Sequence, residues 1–171
     1  MTEPNGLLTD AFERVQEAVH AVVGGLTEAQ LTFRPGPEAN SIAWLVWHLT
    51  RIQDDHIAEV AGTEQLWMSA GWYDRFGLPF DASATGYGHS PDEVAAVAVQ
   101  TPALLSGYHD DVAAHTLSYV GGLAPSDLTR VVDDSWDPPV TLGTRLVSVL
   151  SDDLQHVGQA AYVHGLIFSG G

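Results

Sequence analysis

Cysteine is absent from the 171 residues of this chain. Its absence excludes disulfides, thiolate metal ligands and cysteine nucleophiles, so a metal would have to be bound by histidine and carboxylate, and thiol chemistry would need an external thiol. Lysine is absent as well, and six arginines stand against 22 acidic residues, which gives a formal net charge of −16. A chain with so few basic residues lacks the surface with which proteins bind nucleic acid or anionic membranes.

Long apolar runs are also missing. No run approaches the roughly 18 residues that predict a transmembrane helix. The segment Met1–Asn5 lacks the basic and then apolar residues of a secretory signal, so we expect a cytoplasmic protein whose partner is a small molecule. Hydrophobic residues make up 45% of the chain, which is enough to form a core, and the length predicts a single domain, residues 1–171.

Apolar residues at helical spacing predict four main helices. They cover residues 6–24, 41–61, 90–120, with a break at Thr101–Pro102, and 141–167. Two long segments between them, 63–90 and 123–140, have no clear periodicity; the first is rich in aromatic residues and the second contains Trp136. The pattern predicts an all-α protein, a four-helix bundle with two long aromatic loop insertions.

The last predicted helix carries two adjacent acidic residues and a histidine. Asp152 and His156 are four residues apart and therefore share one face of that helix, whereas Asp153 lies near the centre of its apolar stripe. An unpaired ionised carboxylate in a core is very costly, and a bound metal is a common way to hold one there. The alternative is that Asp153 pairs with an arginine or a hydroxyl and Asp152 is solvated.

The second predicted helix carries two more histidines, with His48 at the edge of its apolar stripe and His56 near the centre. Together with Asp152 and His156, His48 would make a three-ligand site with an open position, the arrangement of catalytic metals. A histidine on an apolar face is also often a hydrogen-bonded core residue, so that interpretation stays open.

Other catalytic signatures are missing from the chain. It has no nucleophile elbow, no phosphate-binding glycine-rich loop and no dinucleotide fingerprint. Gly86-Tyr87-Gly88 lacks the strand and helix that would flank such a motif, and we interpret it as an ordinary loop.

Two stretches resemble the DinB-like superfamily of metal-binding helical bundles. These are NSIAWLVWHL at residues 40–49 and DxxxHxGQ at residues 152–159. This superfamily includes the mycothiol-dependent maleylpyruvate isomerases and thiol S-transferases, to which the chain looks related. The resemblance implies a bundle that holds a divalent ion, zinc or nickel, with His48, Asp152 and His156 as its protein ligands. Most members have histidine where this chain has Asp152, and some thiol-dependent relatives have a carboxylate there.

The function that the resemblance implies is a metal-dependent transferase or isomerase with a low-molecular-weight thiol, such as mycothiol, as cosubstrate. His56 or Asp153 would orient a ligand or move a proton, and the aromatic loops would hold the electrophile. A metal-dependent hydrolase and a non-enzymatic bundle that binds a ligand or partner are the alternatives. Exposed apolar positions on the first and third helices could support a homodimer.

Overall fold

The computed structural model describes residues 4–169. The helices are α1 (Pro4–Val23), α2 (Glu28–Leu31), α3 (Ile42–Ala61), α4 (Leu66–Ser69), α5 (Trp72–Phe76), α6 (Pro91–Ala96), α7 (Pro102–Gly121) and α8 (Leu142–Ser169), and the strands are β1 (Val131–Asp133) and β2 (Val140–Thr141). A short 3-10 helix, Pro125–Thr129, precedes β1.

The four long helices α1, α3, α7 and α8 form a bundle whose interior contains two clusters of buried apolar residues. Helix α3 packs mainly on α8 and α7, and α1 packs on α7 and α8. The predicted all-α fold is confirmed, because within residues 4–169 the only sheet is the antiparallel pair of β1 and β2. None of the helices in that range is long and apolar enough to cross a membrane.

Local sequence signals set the helix ends near the site. The Ser41 hydroxyl accepts a hydrogen bond from the backbone N–H of Trp44 and caps α3. Gly62 ends α3 in the left-handed conformation that glycine adopts most easily. Pro102 begins α7 and separates it from α6, as the predicted break at Thr101–Pro102 requires.

The segment 63–90 is more regular than the sequence predicts, because buried polar groups on α3 organise it. The Asp54 carboxylate accepts hydrogen bonds from the backbone N–H groups of Leu66 (3.0 Å) and Trp67 (2.8 Å) and so fixes the start of α4. Arg51, fully buried, donates to the carbonyl oxygens of Ala82 and Ala84. These contacts hold the segment against α3.

The second predicted loop, 123–140, contains a small hairpin. Val131 of β1 pairs with Thr141 of β2, and Asp133 pairs with Val140. The Arg145 guanidinium at the start of α8 lies 3.3 Å from the Asp133 carboxylate. The hairpin is thereby attached to α8, whose first turns also form one wall of the site.

Candidate metal centre

Helices α3 and α8 bring three predicted ligands together. One donor atom each of His48, Asp152 and His156 lies within 4.8 Å of the other two. Nε2 of His156 is 3.5 Å from Oδ1 of Asp152. Two ligand atoms bound at about 2.1 Å to a tetrahedral ion lie about 3.4 Å apart, so this spacing suits a shared cation.

His48 is held in one tautomer by the segment 63–90. Its Nδ1 donates a hydrogen bond to the Thr85 carbonyl oxygen at 2.6 Å, which leaves Nε2 as the nitrogen with a free lone pair. The indole of Trp44 stacks on the imidazole with ring centroids 4.6 Å apart. Burial lowers the pKa of His48 below its usual value, although the Thr85 carbonyl opposes this shift. The ring is therefore neutral near pH 7, as a metal ligand must be.

The positions predicted for His48 and His56 within α3 are wrong in one respect. His48, expected at the edge of the apolar stripe, is only 5% exposed, whereas the His56 side chain, expected at the centre, is 28% exposed. The reason is the segment 63–90, which covers α3 around His48 and turns a helix edge into a buried position.

Gly86 is part of this cover rather than of an ordinary loop. Its φ of +94° is one that L side chains rarely adopt. A Cβ atom at this position would lie 2.8 Å from Nδ1 of His48, 3.0 Å from the Trp47 ring and 3.2 Å from the Trp44 ring. Only glycine therefore lets the backbone approach closely enough for the Thr85 carbonyl to reach His48.

Asp152 and His156 form a coupled pair on α8. Burial raises the pKa of Asp152, but the hydrogen bond and charge interaction with His156 outweigh it, and the net pKa is lowered. Burial lowers the pKa of His156, but the Asp152 carboxylate reverses this effect and raises it. Oδ2 of Asp152 is buried and has no hydrogen-bond partner among the described residues. Two imidazoles and a carboxylate with an unsatisfied oxygen fit a divalent cation.

An open cleft of about 580 Å³ reaches one of the three candidate ligands, Asp152, whereas His48 and His156 do not line it. Its walls include Asp152 and Gln155 of α8, His56 of α3 and Tyr87 of the segment 63–90. Nη1 of Arg145 lies 3.1 Å from Nδ1 of His56. A guanidinium can only donate, so in this contact Nδ1 accepts and the His56 proton is on Nε2. His56 therefore offers an N–H donor in the cleft that contains Asp152.

Asp153 faces the interior, as the helical periodicity predicts. It is 0% exposed, and neither carboxylate oxygen has a hydrogen-bond partner within residues 4–169, so the alternative of pairing with an arginine or hydroxyl is not seen there. Burial and the neighbouring Asp152 charge raise its pKa well above the usual value. Asp153 does not line the cleft, and its catalytic role stays a prediction.

Sequence reasoning missed the residues that surround His48. Nε1 of Trp44 donates to Nδ1 of His89 at 3.2 Å, and this histidine also packs against the Phe80 ring, with centroids 4.7 Å apart. Thr85 and Gly86 act through the backbone, and a backbone contact leaves little trace in a single sequence. The aromatic residues of the segment 63–90 are the one signal in the sequence for these contacts, because a long aromatic loop either packs on the bundle or lines a pocket.

The fold is a helical bundle in which two of the long helices bring together three residues that could hold a metal ion. The sequence profile described as the DinB superfamily matches residues 11–160, and the chain belongs to this superfamily. A crystal structure of a conserved protein from Enterococcus faecalis is similar, with 32% sequence identity, a TM-score of 0.92 and 99% of each chain covered. No curated protein matches the sequence.

Proposed function

We propose that this protein is a metal-dependent enzyme that activates a low-molecular-weight thiol, such as mycothiol, for attack on an electrophilic small molecule. The attack would either transfer the thiol to that molecule or isomerise the molecule. The observation that carries the proposal is the convergence of the His48, Asp152 and His156 donor atoms within 4.8 Å of one another, with Asp152 also lining a cleft of about 580 Å³. Three protein ligands leave a coordination position for an exogenous group.

The charge of the ligand set favours a thiolate in that position. Two neutral imidazoles and one carboxylate leave a net charge of about +1 around a divalent ion. A bound divalent ion supplies the stabilisation of negative charge that lowers the pKa of a coordinated thiol. Because the chain has no cysteine, the thiol must come from solution, and the cleft is large enough for a small molecule.

Residues around the three candidate ligands orient the imidazole rings, and His56 can donate a proton. The Thr85 carbonyl and the stacked Trp44 ring fix the orientation of His48, and Oε1 of Gln159 lies 3.3 Å from Nδ1 of His156. Such partners raise ligand basicity and reduce the motion of the imidazole. His56, with its proton on Nε2, stands in the cleft where it can donate to a leaving group.

The first test is metal content and thiol dependence together. Protein produced in medium with zinc and nickel is analysed by inductively coupled plasma mass spectrometry, and we expect about one ion per chain in the wild type. His48→Ala should lose the metal. His164→Ala, which removes a histidine that packs against Phe168 elsewhere on α8, should keep it.

Turnover is then measured with an aryl chloride as electrophile and mycothiol or glutathione as the thiol. We expect product only with a thiol present, and loss of turnover in His48→Ala but not in His164→Ala. Turnover of ester substrates without any thiol would instead favour the hydrolase alternative. Wild-type protein that binds no divalent ion, or His48→Ala protein that retains full metal content, would contradict the proposed centre.

A further inference from the structure

Arg145 lies in an unfavourable place for a cation. It is the fourth residue of α8, at the end of the first turn, where the partial positive charge of a helix N-terminus disfavours a basic side chain. Its side chain is nevertheless only 17% exposed, in a chain with only six arginines and no lysine. A largely buried cation at this end of a helix needs partners that compensate for both costs.

Within residues 4–169, two side chains on opposite sides of Arg145 provide this compensation. Nη2 of Arg145 lies 3.3 Å from Oδ2 of Asp133, the last residue of β1, and Nη1 lies 3.1 Å from Nδ1 of His56 on α3. The guanidinium holds its donors in a rigid fork, so the contact at one nitrogen fixes the direction of the other. We call these three side chains the Asp133–Arg145–His56 bridge.

The hairpin end of the bridge is itself fixed. Oδ1 of Asp133 accepts hydrogen bonds from the backbone N–H (3.0 Å) and the hydroxyl group (2.6 Å) of Ser135, which leaves Oδ2 for Arg145. The hydrogen bonds from Ser135 and, in smaller measure, the Arg145 charge lower the pKa of Asp133, so this carboxylate is ionised at neutral pH. The backbone N–H of Leu142 donates to the Arg130 carbonyl oxygen at 2.8 Å and ties the hairpin to the start of α8.

The imidazole of His56 stands between two clefts. It lines the cleft of about 580 Å³ that contains Asp152, and it also lines a second cleft, of about 540 Å³, that contains Arg145 and Asp133. Arg145, the partner of Nδ1, lines only the second of these two clefts. Nε2 is therefore the nitrogen that remains for a molecule bound in the cleft with Asp152.

Two carboxylates of α3 also lie near His56. Oδ2 of Asp55 is 4.0 Å and Oε2 of Glu59 is 3.8 Å from its Nδ1, distances too long for a hydrogen bond. Asp55 is turned to the Gln65 amide, from which its Oδ1 accepts at 2.6 Å. If Arg145 were removed, either carboxylate could accept from a protonated Nδ1, and the proton of the ring would no longer be confined to Nε2.

We infer that Asp133 and Arg145 are positioning residues that make His56 a fixed hydrogen-bond donor to the cleft with Asp152. Nδ1 accepts from Arg145, so the ring carries its proton on Nε2, and Asp133 keeps the guanidinium in place. The substrate group next to His56 is accordingly a hydrogen-bond acceptor, such as a carbonyl or nitro oxygen. The use of this donor in turnover rests on the proposed function, whereas the tautomer itself does not.

The tautomer is measured by long-range ¹H–¹⁵N correlation NMR on protein labelled with ¹⁵N-histidine, at about pH 8, where an ordinary histidine is neutral. The chain has eight histidines, and the signals of His56 are those missing from His56→Gln. We expect the wild type to carry the proton on Nε2, Arg145→Met to show a large share with the proton on Nδ1, and Asp133→Asn a smaller share. Arg14→Met removes an exposed arginine that pairs with Asp10 on α1, and it should keep the wild-type tautomer.

Kinetics test the consequence for turnover with the aryl chloride. Arg145→Met should lower kcat by up to about 100-fold, with unchanged zinc content and unchanged KM for the thiol, and Arg14→Met should leave kcat unchanged. If no protein turns over with any thiol, the proposed function fails and the NMR measurement alone decides the inference. A wild-type His56 with its proton on Nδ1 would overturn the inference, as would a wild-type tautomer in Arg145→Met or in Asp133→Asn, or an altered tautomer in Arg14→Met.

Discussion

Two glycines of the same loop give a sharp test of how His48 is held. Gly86 and Gly88 both have positive φ values, +94° and +75°. Alanine at either position would therefore strain the backbone by about 1–2 kcal/mol. Only at Gly86 would the new Cβ also meet the site, at 2.8 Å from Nδ1 of His48, whereas at Gly88 it would meet nothing within 4 Å.

The size of the expected effect follows from that contact. Ordinary van der Waals contact begins at 3.4 Å, so in Gly86→Ala the loop or the imidazole must move by several tenths of an ångström. This movement breaks or lengthens the hydrogen bond of 2.6 Å between His48 Nδ1 and the Thr85 carbonyl. Loss of such a partner of a metal-bound histidine typically weakens metal binding by about 10- to 100-fold, or about 1.4–2.7 kcal/mol.

The assay is competition for zinc against a chelating dye, together with urea unfolding of the metal-free proteins. Both variants should lose stability through backbone strain, and Gly86→Ala should lose more because its Cβ also crowds buried rings. Only Gly86→Ala should lose zinc affinity by the stated factor. Equal zinc affinities for the two variants would refute the argument that the loop positions His48 through its backbone. A Gly88→Ala protein with the weaker affinity would refute it equally.

Three further predictions concern buried polar groups. Burial lowers the pKa of His109 to about 4, so the free energy of unfolding falls as the pH decreases from about 6.5 to about 4. Urea titration should show this loss between about pH 7.5 and about pH 5, and we expect it to be smaller by about 2 kcal/mol in His109→Leu. Asp153→Asn should raise the thermal midpoint of the metal-free protein at neutral pH, and this gain should shrink towards pH 4. The pKa of Asp153 is raised in the folded protein, so its carboxyl group ionises more readily in the unfolded chain, and this ionisation favours unfolding at neutral pH. Arg51→Met should lower the free energy of unfolding by about 3 kcal/mol, because it leaves the buried Asp54 carboxylate without its cation. As a control, Arg75→Met at an exposed position should change the free energy of unfolding by less than about 1 kcal/mol.

The sequence predicts those parts of the fold that depend on periodicity and capping. The spacing of apolar residues identifies all four long helices, and the proline at 102 marks the start of α7. The alignment of Asp152 and His156 on one face follows from the same periodicity and needs no tertiary information. The inward position of Asp153 follows in the same way and is confirmed by its complete burial.

The parts that could not be predicted depend on contacts between distant residues. Whether His48 or His56 is buried depends on how the segment 63–90 covers α3, and that cover depends on Arg51 and Asp54, two charged residues that helical periodicity alone does not place in a core. The hairpin of β1 and β2 is short, and strands of two or three residues carry too little pattern to be recognised. The role of Gly86 depends on one contact between distant residues, the close approach of its backbone to the His48 ring.

The stacking of Trp44 on His48 gives the protein an internal optical probe. The indole lies 4.6 Å from the His48 ring and 6.1 Å from the His156 ring, so its excited state is sensitive to what these imidazoles bind. A paramagnetic ion such as Ni²⁺ quenches indole emission at this range, whereas Zn²⁺, with its filled d shell, does so far less. Tryptophan emission should therefore distinguish the two ions without an added dye, with Trp44→Phe as the blank.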